Sequence, residues 1–167
     1  EDTDAGKGRA GQAEMMEVAG RTVLITGGGG GIGGGMAEAF VEAGATVVLA
    51  DVDLDFAQAK AEELGSEASA LLLDVTSLDS WDAVKAAVGD VDILCNNAGI
   101  STPFQSLLDT SPEQFDRVIA INLRGVYGGI RTFVPAMKAR RSGHIVNTSS
   151  VNGLVPHAPF GTYCASK

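Results

Sequence analysis

The stretch TVLITGGGGGIGGGMAEAF, residues 22–40, reads as a strand, a glycine loop and the opening of a helix. TVLIT (22–26) is a short apolar, β-branched run of the kind that forms a buried strand. The glycines after it let the backbone adopt positive φ and approach a ligand closely. From Ile32 onward apolar residues recur at helical spacing. In that order the three pieces make a dinucleotide cradle, because a helix N-terminus presents free N–H groups to a pyrophosphate. Gly27, Gly31, Ile32 and Gly33 are its candidate cofactor-binding residues. GxGxxG fits in more than one register here, so the flanking strand and helix carry the reading, with a flexible linker as the alternative. Gly34 and Gly35 fit the pattern poorly, since an interior helical glycine costs roughly 1 kcal/mol relative to alanine.

The alternation continues outward. TVVLADV (46–52), SALLLDV (69–75), VDILCNNAG (91–99) and GHIVNTSSV (143–151) are further strand candidates. Between them lie DFAQAKAEELG, closing on Gly65, and SLDSWDAVKAAVG, both helical. A long helical pattern runs from Pro112 to Arg140, with Ser111 and Gln114 as a capping box and Pro135 expected to kink or interrupt its far end. A last helix begins near Tyr163. Near-continuous apolar strands separated by helices predict an α/β fold, a doubly wound parallel sheet of Rossmann type. Ligands of such sheets bind outside the carboxyl ends of the strands.

Residues at those ends are therefore the informative ones. Asp51 closes the second strand 18 residues beyond Gly33, where an acid can hydrogen-bond the adenosine ribose. From Gly27 to Ala59 there is no Lys or Arg, while Asp51, Asp53 and Asp55 crowd one turn. A 2′-phosphate carries about two negative charges and would meet only repulsion there. NAD is therefore expected in preference to NADP. Asp74 can bond the adenine amino group while Val75 packs on the ring; Asp74 can equally cap a helix.

Net charge is −9 and the pI about 4.5, which argues against nucleic acid and anionic membrane partners. No apolar run approaches the roughly 20 residues of a membrane span. No secretory signal pattern is found, and two cysteines, Cys95 and Cys164, make no disulfide framework, so a reducing cytoplasm is expected. Neither cysteine has metal-ligand company, and no metal site is expected. Residues 1–15 are polar and Gly-rich and read as a disordered leader to a single domain over 16–167. Trp81, Phe40, Phe56, Phe115 and Phe133 sit at helical spacings and are expected in the core.

YCASK ends the sequence, with Tyr163 and Lys167 four apart and so on one helical face. A phenol with a pKa of ~10 is scarcely ionised at neutral pH, and a nearby ammonium favours its ionised form. Such a pair can move a hydroxyl proton while hydride passes to or from nicotinamide. YxxxK alone is a weak signal. Here it follows TGxxxGIG (Thr26 to Gly33), NNAG (Asn96 to Gly99), INLRG with Asn122, and VNTSS (Val146 to Ser150), in that order. Together these motifs resemble the short-chain dehydrogenase/reductase family, from about residue 16 to the end.

The resemblance implies an oxidoreductase that interconverts a secondary alcohol and a ketone with a Ser-Tyr-Lys group assisted by Asn. On this chain Tyr163 would be the general acid/base, and Lys167 would bind the nicotinamide ribose beside it. Ser150 would hydrogen-bond the substrate oxygen, with Ser149 a structural neighbour. Asn122 would hold a water in a proton relay to Lys167, or satisfy a helix distortion. Asn97, Ala98 and Gly99 would line the cofactor, and Asn96 would tie strands together. Family members continue through this last helix to further strands and a substrate-covering loop. The expectation is therefore a sequence cut within the fold, incomplete at the C-terminal end and inactive as it stands. The alternative reading is a non-catalytic nucleotide-binding fragment. Residues 152–161 are largely apolar and suggest a hydrophobic or mid-sized alcohol, with His157 a plain loop residue. The family's habit of assembling through its long helices implies a homo-oligomer, dimer or tetramer, through residues 112–140.

Overall fold

The computed structural model describes residues 18–167. The leader assigned to residues 1–15 lies outside the described residues. Five strands alternate with helices: β1 (Thr22–Thr26), α1 (Gly31–Glu42), β2 (Thr46–Asp51), α2 (Leu54–Leu64), β3 (Ala68–Leu72), α3 (Leu78–Val88) and β4 (Ile93–Asn96). Then follow α4 (Pro112–Ile119), a π-helical turn (Ala120–Arg124), α5 (Gly125–Arg140), β5 (His144–Asn147) and α6 (Gly161–Ser166). All strand pairs are parallel, in the order β3-β2-β1-β4-β5. Chain direction across the sheet thus reverses between β1 and β4, and a crevice opens beyond their carboxyl ends.

Alternate residues of the central strands feed two cores. Val23, Ile25, Val47, Leu49 and Ile93 face α1 and α2, where buried Ala37, Ala57 and Ala61 meet them and half-buried Met36, Phe40, Val41 and Leu64 pack around. Leu24, Val48, Leu94 and Leu73 face Trp81 of α3 with Phe133 and Met137 of α5. Each fully buried Leu, Ile or Val contributes about 1.5–3 kcal/mol, so these strands are fixed by burial on both faces. The indole of Trp81 meets the Phe133 ring edge-on at 6.3 Å and donates to Val75 O at 3.0 Å.

The long helix differs from its sequence reading. Its start is as expected, Ser111 and Gln114 forming both halves of the capping box. Pro135, however, sits inside α5 and the helix runs on to Arg140. The interruption lies earlier, at the π-turn, which brings Asn122 into the interior. Pro135 lacks one N–H and costs one helical bond, which the packed helix tolerates. β3, β4 and β5 are also shorter than their apolar runs, so Asp74, Val75, Asn97 and Ser150 lie in loops beyond strand ends. Among the aromatics, Trp81 and Phe133 are buried and Phe40 half-buried, but Phe56 is 54 % and Phe115 39 % exposed. Their helical spacing is real; the face they occupy points away from the sheet. Among the described residues, no helix is long and apolar enough to cross a membrane.

Candidate active site

The glycine loop owes its shape to two close approaches. Gly27 has φ +63°, and a Cβ on Gly33 would fall 2.1 Å from Gly27 O and 2.9 Å from Asn97 Nδ2. Gly33 is therefore required by packing of α1 on the loop. No side chain caps α1, and its first turn holds no acid, so its amides remain free for an anion. Thr26, the last residue of β1, ties the loop to β4: its Oγ1 accepts from Asn97 N (2.9 Å) and Ala98 N (3.0 Å). Asn97 completes the knot, donating from Nδ2 to Thr26 O (3.0 Å) and Gly27 O (3.1 Å) and accepting from Thr148 Oγ1 (3.2 Å).

A cleft of about 640 Å³ opens over these residues, at the β1/β4 reversal. Of the expected cofactor residues, Gly27, Ile32, Asp51, Asp74, Val75, Asn97, Ala98 and Gly99 line it. Gly31, with φ +54°, lies beside it rather than in it, and Gly33 stands behind. Asp51 is committed to backbone: Oδ2 accepts from Gly29 N (3.0 Å) and Oδ1 from Asp53 N (3.1 Å). This fixes a carboxylate at the cleft wall with lone pairs remaining for a ligand hydroxyl. Asp74 caps a turn, accepting from Thr76 N (2.9 Å) and Thr76 Oγ1 (2.7 Å), while Ser77 caps α3. The residues fit an extended nucleotide: glycine amides at one wall, a fixed acid at another, and Val75, Ile100 and Ile121 as apolar surface.

The second constellation stands at the Gly99 end. Lys167 Nζ donates to Thr148 O at 3.0 Å and lies 5.7 Å from the centroid of the Tyr163 ring. A Cβ on Gly99 would sit 3.1 Å from that Nζ and 3.4 Å from Asn122 Oδ1, so Gly99 joins the cleft to the Tyr-Lys pair. Burial lowers the Lys167 pKa from 10.5. Asn122 bonds the backbone of Ile100 twice, at 2.8 Å each way, and donates to Ser166 Oγ at 2.8 Å. Both its amide protons are used, and one lone pair of Oδ1 is left for a water. Ser150 Oγ accepts from Asn152 N at 3.2 Å, and Ser149 donates to Lys167 O at 3.1 Å. Asn96 Nδ2 reaches Asn147 Oδ1 at 2.9 Å, tying β4 to β5.

The remaining candidates are plain. Cys95 is buried and its thiol pushed up to about 11 by desolvation, which makes it inert. Among the described residues there is no cluster of metal-ligating side chains. His157 is exposed in a loop. Sequence reasoning missed Thr26, Thr148, Ile100, Phe56 and the pair Arg117 and Ile121. The last two lie one turn apart on one helical face, a spacing that signals a shared surface but not which one.

The family model for short chain dehydrogenase matches residues 21–167. The chain belongs to the short-chain dehydrogenase family. It is 40 % identical over 157 residues to a sorbitol dehydrogenase of Cereibacter sphaeroides, covering 91 % of this chain and 61 % of that protein. The structure of a 3-ketoacyl-(acyl-carrier-protein) reductase from Brucella melitensis, complexed with NADH, superposes with a TM-score of 0.85 at 38 % identity, over 89 % of this chain and 65 % of that one. A metagenomic short-chain oxidoreductase in complex with NADP gives 0.83 at 36 %, over 90 % and 72 %. The chain thus spans a little over three fifths of the length of curated short-chain dehydrogenases it matches, and its structural relatives include complexes with both cofactors.

Proposed function

We propose that this protein carries the catalytic and nucleotide-binding half of an NAD-dependent short-chain dehydrogenase, acting on a secondary alcohol and its ketone. One observation carries the reading: the Lys167 ammonium, held by Thr148 O, lies beside the Tyr163 ring and against Gly99 at the mouth of the cleft. NAD, when bound, supplies the carbon that accepts or returns the hydride. Gly27, Ile32 and the free amides opening α1 would hold its phosphates, Asp51 a ribose, Asp74 and Val75 the adenine, and Asn97 to Gly99 the crevice floor. In the oxidative direction Ser150 Oγ holds the substrate oxygen and Tyr163 takes the hydroxyl proton. Lys167 also bonds the nicotinamide ribose, and Asn122 Oδ1 holds a water that passes the proton outward.

The preference for NAD rests on Asp51 at the cleft wall, placed to meet a ribose, and on the lack of Lys or Arg from residue 27 to residue 59. The exposed apolar residues Phe104, Leu154 and Val155 favour a hydrophobic substrate. Exposed Phe115, Leu123 and Tyr127 on residues 112–140 favour self-association through that surface, and the acidic balance disfavours nucleic acid and anionic membrane partners. Fluorescence titration with NADH on this chain, followed by an alcohol panel with NAD on a chain extended by the further strands and substrate loop expected after residue 167, tests the proposal. Binding of NADH with turnover abolished by Tyr163→Phe is the expected result; turnover that survives that substitution rejects the proton-transfer role.

A further inference from the structure

Phe56 is an aromatic side chain in the first turn of a surface helix, 54 % exposed, at a position where the sequence pattern called for core. Its ring lies over two consecutive glycines of the loop. A Cβ on Gly29 would be 2.6 Å from Phe56 Cδ1, and one on Gly30 would be 2.4 Å from Phe56 Cζ. Ring and side chains at those positions exclude one another. The same Gly29 peptide donates to Asp51, so ring and carboxylate flank one amide at the ribose end of the cleft. The Phe56 backbone N–H is fixed by Asp53 Oδ1 at 3.1 Å, which anchors the turn carrying the ring.

Beyond the ring lies a second cleft of about 350 Å³, lined by Gly29, Gly30, Gly34, Phe56, Lys60 and Glu63. Phe56 lines both clefts; Lys60 lines only the second. Lys60 is the first cation after the glycine loop, and it is paired with Glu38 and Glu63. The ring is thus a shared wall of the two clefts, with Asp51 lining the first and Lys60, the one cation of this helix, lining the second. An apolar ring offers a phosphate on the ribose no donor, and desolvating a phosphate against it is costly.

We propose that Phe56 is a cofactor-selectivity residue, whose ring partitions the adenosine cleft from the Lys60 pocket and so excludes a phosphorylated ribose. This rests on the NAD reading and adds a steric wall to the charge of Asp51. The test is titration of NADH and NADPH, by nucleotide fluorescence, into wild type, Phe56→Ala, Phe56→Leu and Phe56→Ala/Lys60→Gln, with circular dichroism confirming the fold of each. Wild type is expected to favour NADH. Phe56→Ala is expected to shift the NADPH-to-NADH affinity ratio about tenfold toward NADPH, equivalent to about 1.4 kcal/mol. Phe56→Leu should stay near wild type, and Lys60→Gln in the alanine background should remove the gain. A wild type that favours NADH with a ratio unchanged in Phe56→Ala overturns the role of Phe56 alone. A wild type that already favours NADPH overturns the NAD reading itself, and failure to bind either nucleotide overturns both.

Discussion

The Lys167 ammonium lies 5.7 Å from the centre of the Tyr163 ring and is tethered to Thr148 O at 3.0 Å, so its position is set by the loop after β5 as much as by its own helix. A six-residue helix is too short to hold a side chain through helical order alone. The tether supplies what the helix cannot. Removing the phenol hydroxyl with Tyr163→Phe should reduce kcat/KM by about 10²–10⁴-fold, the usual worth of a general acid/base. NADH affinity should change little, since the ring and the lysine remain.

Burial disfavours the charged form of Lys167 and lowers its pKa below 10.5. In the window between that lowered value and 10.5 the unfolded chain holds the proton that the folded chain has lost. Stability from this group therefore rises with pH across the window and is lost as pH falls through the folded pKa. Thermal melts of wild type against Lys167→Met, taken from about pH 8 to pH 11, should show wild type gaining relative stability as pH climbs. A difference that stays flat over that range would mean that the ammonium is not desolvated.

Two neighbouring glycines predict opposite outcomes. Gly33→Ala places a methyl 2.1 Å from a backbone oxygen, and neither side can yield without moving the loop. It should cost several kcal/mol, on the order of the large values seen for overpacking and strain, and abolish NADH binding. Gly35 meets nothing within 4 Å, and its exposed helical position suits alanine. Gly35→Ala should add about 1 kcal/mol and raise the melting temperature by about 2–4 °C.

Asp51 holds the loop and, in the proposed reading, a ribose hydroxyl as well. Asp51→Ala would leave Gly29 N without its acceptor and the ribose without its partner. A hydrogen bond to a charged group is worth about 1.5–3 kcal/mol, so NADH affinity should fall by at least about tenfold. An unchanged dissociation constant in calorimetry would remove Asp51 from the site.

Trp81 links the core to the cleft wall through its bond to Val75 O. Trp81→Phe should cost about 1 kcal/mol for that bond plus whatever packing is lost with the larger ring. Urea melts followed by circular dichroism measure it, because the variant lacks the chain's one tryptophan.

The fold was legible because burial on both faces gives continuous apolar strands, and glycines and caps mark their ends. TVLIT and the Ser111 capping box fell where the pattern put them. Pro135 misled because a proline inside a packed helix loses one bond, whereas the π-turn at Ala120–Arg124 has no composition of its own. Phe56 misled for a related reason: helical spacing gives a face but not what that face meets. The cleft residues could be chosen because they follow strand ends. The assignments among them were less accessible, since Gly33 packs on the chain itself and Asp74 closes a turn. Thr26 and Thr148 act through short-range bonds that no spacing encodes.

Asn122 grips Ile100 with one hand and Ser166 with the other. The Ile100 side of the cleft and the helix bearing Tyr163 are therefore spliced through a single amide. In the proposed reading, a nucleotide that displaced Gly99 and Ile100 as it settled would pull on that helix through Asn122, so the arrival of one reactant would be felt by the group that handles the other.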